Sequence, residues 1–554
     1  MPLPTTIRSS VSQEAITKVT RLFNGTVKDV LHELLQNARR AGASRVDIEL
    51  LERAGMQMLS VRDDGRGIAD PSVLLSLGRS DWTPETRQNE DPAGMGVFSL
   101  AGRWVEIRSA ACGVDSWRVV VPAEAWEDQR ALPIEPCDIQ HGTQILIEAP
   151  EIWVTALNGA AADCARFYPL PVFLNKEPLA RADFLADAAY CEYWEGCIIG
   201  VFHGAQAPTG RQSRLNFYGL TVDCHLPHIG DVDRAGGWTA RVDIQDAPNL
   251  RLVLPGRKEV IAGPALDALL DACRRAIYRV VLGQDDHRLS YASWSEARAL
   301  GIMLPEPLPC LEAWTPETAE PYARLRGSAV RDQAMIIIPD QEPDVAQSAA
   351  PVLNDPQLIG ATAVCAERGF EGYSWYDVLP RLASLRFGFT RGGAQTWIDD
   401  AELASPGETG SATALRLEMT IAVAAGSEPA ISTREAPLRM MVRSVDCYGI
   451  DDATILVDDK ASVDPDELAD LIEASLFSPD EDRGADSWET QRSNFQMEAR
   501  HMANSILLGD EEALRAQLAE AIRRDVSWLV PAGRTMTATV SRGAVDVVMA
   551  AAAT

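Results

Sequence analysis

Glu33 and Asn37 stand four residues apart in 33-ELLQNARRAGA-43. On a helix that spacing puts both side chains on one face. A carboxylate can take a proton from water, and an amide oxygen is a donor that a hard cation such as Mg²⁺ accepts. Two further motifs follow in order: 63-DDGRG-67, a D-x-G-x-G turn, and 94-GMGVFS-99, with glycines opening a helix. An aspartate placed after a strand can accept a hydrogen bond from an adenine amino group. Bare glycines let a purine and its ribose come close to the backbone. The Gly94–Gly96 turn would expose N–H groups at a helix N-terminus, which suits phosphate oxygens. A nucleoside triphosphate with Mg²⁺ uses all of these groups at once. Asn37 would then ligate the ion, and Glu33 would orient and deprotonate the attacking water.

The surrounding pattern supplies the elements that position these groups. In 26-TVKDVLHELLQNARRAG-42, Val27, Val30, Leu31, Leu34, Leu35 and Ala38 recur at helical spacing, and Gly42 is a natural stop. The alternation in 45-RVDIELL-51 predicts a strand, and 57-QMLSVRD-63 predicts a second one running into the D-x-G-x-G turn. A short helical segment is expected around 71–78. The polar stretch 79-RSDWTPETRQNEDPAG-94 has the length of a lid or binding loop. Strands are expected at 104–109, 117–122 and 142–149, which makes residues 1–150 an α/β sandwich. Residues 151–285 form a second α/β unit, with strands at 197–203, 214–223, 239–244 and 250–255 closed by a helix at 263–283. A Pro-rich linker is expected over 286–325. Residues 326–554 are a mixed α/β region without a motif. They hold strands at 334–339 and 437–445, an acidic run at 451–489, helices over 490–528 and a terminal hairpin at 534–550.

Bulk properties narrow the choice of function. The chain has 554 residues, 46% hydrophobic and 24% charged, which suits a multidomain globular protein. A net charge of −29 disfavours a broad basic face for nucleic acid. No apolar run is long enough to suggest a transmembrane helix, and the first residues lack a signal-peptide core. With ten cysteines and no C-x-x-C pair, the expectation is a cytoplasmic protein with free thiols. Cys224, His225 and His228 make half of a zinc-ligand set with no matching second half.

The three motifs, in this order and setting, resemble the GHKL ATPase superfamily. Its Bergerat fold is shared by MutL, type II topoisomerase ATPase subunits, HtpG-type chaperones, MORC proteins and sensor histidine kinases. The resemblance covers about residues 20–150 and implies a Bergerat α/β sandwich ATPase domain that takes ATP and Mg²⁺. By it, Glu33 is the general base, Asn37 the Mg²⁺ ligand and Asp63 the adenine reader, with Gly65 and Gly67 lining the base pocket. Gly94 and Gly96 with the amides of Val97, Phe98 and Ser99 hold phosphates. Thr143 closes the adenine pocket, and Ser80, in 78-GRSDW-82, is a lid contact. The family often carries an acidic residue three positions after the asparagine. Arg40 stands there, which points to slow turnover.

The stretch 250-LRLVLPGRKEVI-261 resembles the MutL transducer motif, in which a basic residue senses the γ-phosphate. Arg257 falls on the sensor position and Lys258 follows it, and either one can serve. Residues 1–25 are too few for the phosphoacceptor hairpin of a histidine kinase, so hydrolysis is favoured over phosphotransfer. The implied whole is an α/β multidomain chain with an ATPase domain, a transducer-like α/β domain and an interaction region. It would act as an ATP-gated clamp or switch, as an ATP-dependent homodimer, on a protein client. The alternatives are a DNA-repair or topoisomerase-type subunit acting on DNA, and a nucleotide-sensing module with negligible hydrolysis. No membrane role is expected.

Overall fold

A computed structural model describes residues 26–74, 100–128, 131–204, 215–232, 236–253, 259–320, 327–400, 408–423, 430–444 and 449–551, apart from 481 and 483. The chain divides into two compact units, Met1–Pro307 and Leu308–Thr554.

The first unit starts with α1 (Val27–Arg40). Thr26 caps it: its hydroxyl accepts from the Asp29 amide at 3.3 Å, and Asp29 Oδ2 accepts from the Thr26 amide at 2.9 Å. This reciprocal box satisfies two of the N–H groups that a helix start leaves unbonded. Asp29 in the first turn and Arg39 and Arg40 in the last complement the helix dipole. The chain leaves through Gly42 at φ +69°, as the sequence indicated.

Strands β1 (Val46–Arg53) and β2 (Met56–Asp63) form a hairpin closed by Ala54-Gly55, both at positive φ. Next come β3 (Val105–Ala110), β4 (Trp117–Val121), β5 (Ile134–Pro136) and β6 (Gly142–Glu148). Helix α2 (Glu151–Ala165) leads to β7 (Val172–Leu174) and β8 (Glu177–Pro178). The sheet order is β5-β4-β3-β6-β2-β1-β7-β8. One continuous core joins α1, through Val30, Leu31 and Leu34, to Val46, Ile48, Ile107 and Ile147 of the sheet and to Trp153 and Leu157 of α2. Burying each such side chain stabilises the sandwich by roughly 1.5–3 kcal/mol. The fold is therefore an α/β sandwich. Its sheet runs past residue 150, because β7 pairs in parallel with β1 and α2 packs into the same core.

The second sheet comprises β9 (Tyr190–Trp194), β10 (Cys197–His203), β11 (Leu215–Phe217), β12 (Leu220–Val222), β13 (His228–Gly230) and β14 (Gly237–Ile244). Its order is β12-β11-β14-β10-β9, with β13 also paired to β14. Helix α3 (Pro264–Leu282) packs on it through buried Leu269, Cys273 and Ile277, and Arg279 binds Glu192 of β9 at 2.7 Å. Two sequence expectations change here. Of the strand expected at 214–223, the described residues 215–222 form a hairpin rather than one strand, because Tyr218 and Gly219 both take positive φ and reverse the chain. Of 250–255, the described residues show only a bridge between Leu252 and Val260. Within 286–325, expected as a linker, α4 (Tyr291–Ala299) and a strand at Cys310–Glu312 are formed, since Trp294 and Leu311 are buried.

The second unit is mixed α/β. A sheet containing Met335–Ile338, Thr362–Cys365, Arg381–Arg391, Ala414–Val423 and Ala430–Pro437 carries its main core. Arg443 and Asp344, both buried, pair at 3.0 Å. The acidic run includes the buried strand Thr454–Asp458 and the helix Pro465–Leu476. The terminal hairpin pairs Arg534–Ser541 with Ala544–Ala551. No helix among the described residues is long and apolar enough to cross a membrane.

Candidate active site

Asp63 is the last residue of β2 and lies opposite Thr143 of β6 in the antiparallel register. Its Oδ1 accepts from the Gly65 amide at 2.8 Å, and the Thr143 amide also donates to the carboxyl. Burial dominates its titration and pushes the pKa above the ordinary carboxylate range, against those two amides and nearby His141. The next residue, Asp64, does the opposite job. Partial burial disfavours its charge, yet the Ser44 hydroxyl and the amides of Ser44 (2.7 Å) and Arg45 (3.1 Å) hold its pKa below the usual range. Asp64 thus fastens the turn to the chain entering β1.

The glycines of the turn are sterically required. A Cβ on Gly65 would lie 2.7 Å from the Ala41 Cβ and 2.9 Å from the Ala41 carbonyl. That carbonyl accepts from the Arg66 amide at 2.9 Å, so the turn is laid directly on the C-terminus of α1. Gly67 sits at φ +74°, and a Cβ there would be 2.2 Å from the Ala110 carbonyl oxygen. Gly67→Ala is expected to destabilise the first unit by more than about 2 kcal/mol, since clash and left-handed strain add. Urea titration followed by circular dichroism checks this; a loss below about 0.5 kcal/mol would contradict the close approach.

On α1, Glu33 is buried at 9% exposure and Asn37, one turn later, is half-buried. The Asn37 amide oxygen accepts from Arg40 Nη1 at 3.3 Å. Ser109, on β3 and fully buried, was not singled out by sequence. Its Oγ accepts from the Ile68 amide at 2.8 Å and lies 3.2 Å from the Gly142 carbonyl and 3.1 Å from Thr143 Oγ1. It ties the far side of the glycine turn to Thr143. The available signal was a serine at an inward position of β3, in phase with Val105 and Ile107.

The structure thus brings Asp63, Gly65, Gly67 and Thr143 together beside the end of the helix that carries Glu33 and Asn37. Ser80, Gly94, Gly96, Val97, Phe98, Ser99, Arg257 and Lys258 lie outside the described residues. Among the described residues no group of three or more His, Cys, Asp or Glu side chains could hold a metal ion.

A family model described as histidine kinase-, DNA gyrase B- and HSP90-like ATPase matches residues 25–123. Over these residues the chain is similar to that ATPase family. The match runs from α1 through β4 and includes Glu33, Asn37, Asp63, Gly65 and Gly67, while Thr143 lies beyond it. Curated relatives are named DNA mismatch repair protein MutL. The protein of Pseudomonas putida (strain GB-1) is 36% identical over 99 residues, 18% of this chain and 15% of the relative. That of Azotobacter vinelandii is 38% identical over 99 residues, with the same coverage. That of Shewanella halifaxensis is 27% identical over 161 residues, 28% of this chain and 25% of the relative. The chain spans a quarter or less of the length of these relatives. At the level of the family, this domain is an ATP-binding one.

Proposed function

We propose that the chain is a Mg²⁺-dependent ATP hydrolase that works as an ATP-gated conformational switch on a protein partner. The observation that carries the reading is the contact of the Asp63–Gly67 turn with the end of α1. It supports reading the turn as an adenine subsite beside the carboxylate–amide pair of α1, within the family-matched residues. In this reading ionised Asp63 accepts from the adenine amino group, and Gly65 and Gly67 leave room for the base. Thr143 closes the base pocket. Glu33 holds the attacking water and takes its proton. Ser80, Gly94, Gly96 and the amides of Val97, Phe98 and Ser99 complete the proposal as lid and phosphate contacts. Arg257 or Lys258 is the γ-phosphate sensor. Closure of a homodimer around the bound nucleotide, with reopening after hydrolysis, gives the switch and a slow turnover. A cytoplasmic location belongs to the same proposal.

The Mg²⁺ part fits the donor chemistry, because the Asn37 amide is a hard oxygen and phosphates would supply the others. When bound, the ion would screen phosphate charge at the reacting end of the nucleotide. Arg40 has to release Asn37 first, since its guanidinium rests on that oxygen. Arg40→Ala is therefore expected to lower the Mg²⁺ concentration for half-maximal ATP binding by roughly threefold to fivefold, the scale of one partly exposed charge contact. ATP binding titrated against Mg²⁺ checks this. An unchanged requirement would show that Arg40 does not compete for the amide.

A second reading, action on DNA, is favoured by the relatives being DNA mismatch repair proteins by name. The net charge of −29 weighs for the protein partner. Phosphate release with and without duplex DNA separates the two, and stimulation would replace the protein-partner reading. ATP binding without measurable release would leave a nucleotide-sensing module.

A further inference from the structure

The segment of α1 between Glu33 and Asn37 is held by the Tyr218 turn of the second sheet and by Tyr168, which lies between α2 and β7. Gln36, 4% exposed, donates from Nε2 to the Tyr218 carbonyl at 2.8 Å. The Tyr168 hydroxyl donates to the Leu35 carbonyl at 2.5 Å. The Arg39 guanidinium lies over the Tyr218 ring, 3.6 Å from its centroid. Tyr218 and Gly219 make the two-residue turn between β11 and β12, at φ +53° and +92°. Asn216 Oδ1 accepts from the Gly219 amide at 2.9 Å, and its Nδ2 donates to Asp243 of β14 at 2.6 Å. The turn is flush against Tyr168, since a Cβ on Gly219 would fall 2.8 Å from the Tyr168 Cα.

Two-residue hairpin turns with both central residues at positive φ favour Asn-Gly. A bulky residue in the first place costs about 1–3 kcal/mol, and such strain is retained where the surroundings need the residue. Here the surroundings are the middle of α1. We propose that the Tyr218-Gly219 turn is a positioning device for the ATPase helix. It fixes the rotation of α1, and with it where Glu33 and Asn37 point, and it passes movements of the second sheet to both. Tyr218 touches no reacting atom and is a positioning residue. The consequence for hydrolysis rests on the Glu33 reading above; the mechanical grip does not.

The test uses the full chain with three substitutions. Tyr218→Asn keeps a favoured turn residue and removes the ring. Gln36→Met removes the hydrogen bond at similar length. Tyr218→Phe keeps the ring under Arg39 and the carbonyl for Gln36. Expected for the first two is a fall in kcat of about tenfold or more with the Kd for ATP within about twofold, because small misplacement of a reacting group is costly. Tyr218→Phe should restore kcat to within about twofold of wild type. A merely structural role would lower melting temperature and ATP affinity together, or change nothing, and either result overturns the proposal. Hydrogen exchange of the α1 amides adds a readout that does not pass through Glu33. Exchange should be about tenfold faster in Tyr218→Asn than in Tyr218→Phe. Equal exchange refutes the grip, whereas intact exchange effects with full activity in Glu33→Gln would sink the Glu33 reading alone.

Discussion

Phosphate release from ATP is expected to fall by about 10²–10⁴-fold in Glu33→Gln, the range that one positioned general base contributes. ATP binding should persist. Glutamine is the informative substitution, because Glu33 is buried at 9% exposure and alanine would leave a hole. The amide has nearly the shape of the carboxylate but cannot accept a proton at neutral pH. A base must also lie beside the reacting end of the nucleotide, and Asn37, one turn on, marks that end if it meets the metal and phosphates. Single-turnover release and equilibrium ATP binding, measured on the same preparation, decide the point. Loss of both would mean that Glu33 supports the pocket's structure, and retention of both would mean that the proton goes elsewhere.

How much of this was legible in the sequence depends on how local each interaction is. Helix α1 was readable because its apolar spacing, its Gly42 stop and the Glu33–Asn37 interval all lie within one short stretch. The D-x-G-x-G turn was readable for the same reason. The neighbourhood of Asp63 and Thr143 was not derivable from pattern, because it depends on β6 inserting between β3 and β2 across about eighty residues of chain. Parallel pairings such as β1 with β7 and β11 with β14 were equally hidden, since periodicity names a strand's faces but not its neighbour. Ser109 was overlooked because a single serine in an apolar alternation reads as a minor defect. Only the three-dimensional meeting of Ile68, Gly142 and Thr143 makes it a hub. Tyr218 was taken into a strand because aromatic residues favour strands, and the positive φ it adopts is paid for by tertiary contacts that no local rule contains.

The second large effect concerns Asp63 and carries a pH dependence. Its carboxyl already receives the Gly65 and Thr143 amides. A carboxylate has lone pairs left for a third donor, the adenine amino group, whereas an asparagine would use its one oxygen on the two amides and turn its NH₂ against the ligand. Asp63→Asn should therefore weaken ATP binding by roughly tenfold to 150-fold, the worth of a hydrogen bond to a charged group. Burial holds the Asp63 pKa above its ordinary value of about 3.9. The folded apo chain consequently binds this proton more tightly than the unfolded chain does, so the group costs stability as pH rises from the unfolded pKa through the folded one. ATP needs the ionised form and pulls the other way. Its affinity should drop as pH falls through the raised pKa, beginning at higher pH than an exposed aspartate would allow, and the same titration in Asp63→Asn should be flat over that window. Calorimetric ATP titrations at successive pH values give both curves. Parallel curves for wild type and variant would assign the pH dependence to another group and remove Asp63 from the base-reading role.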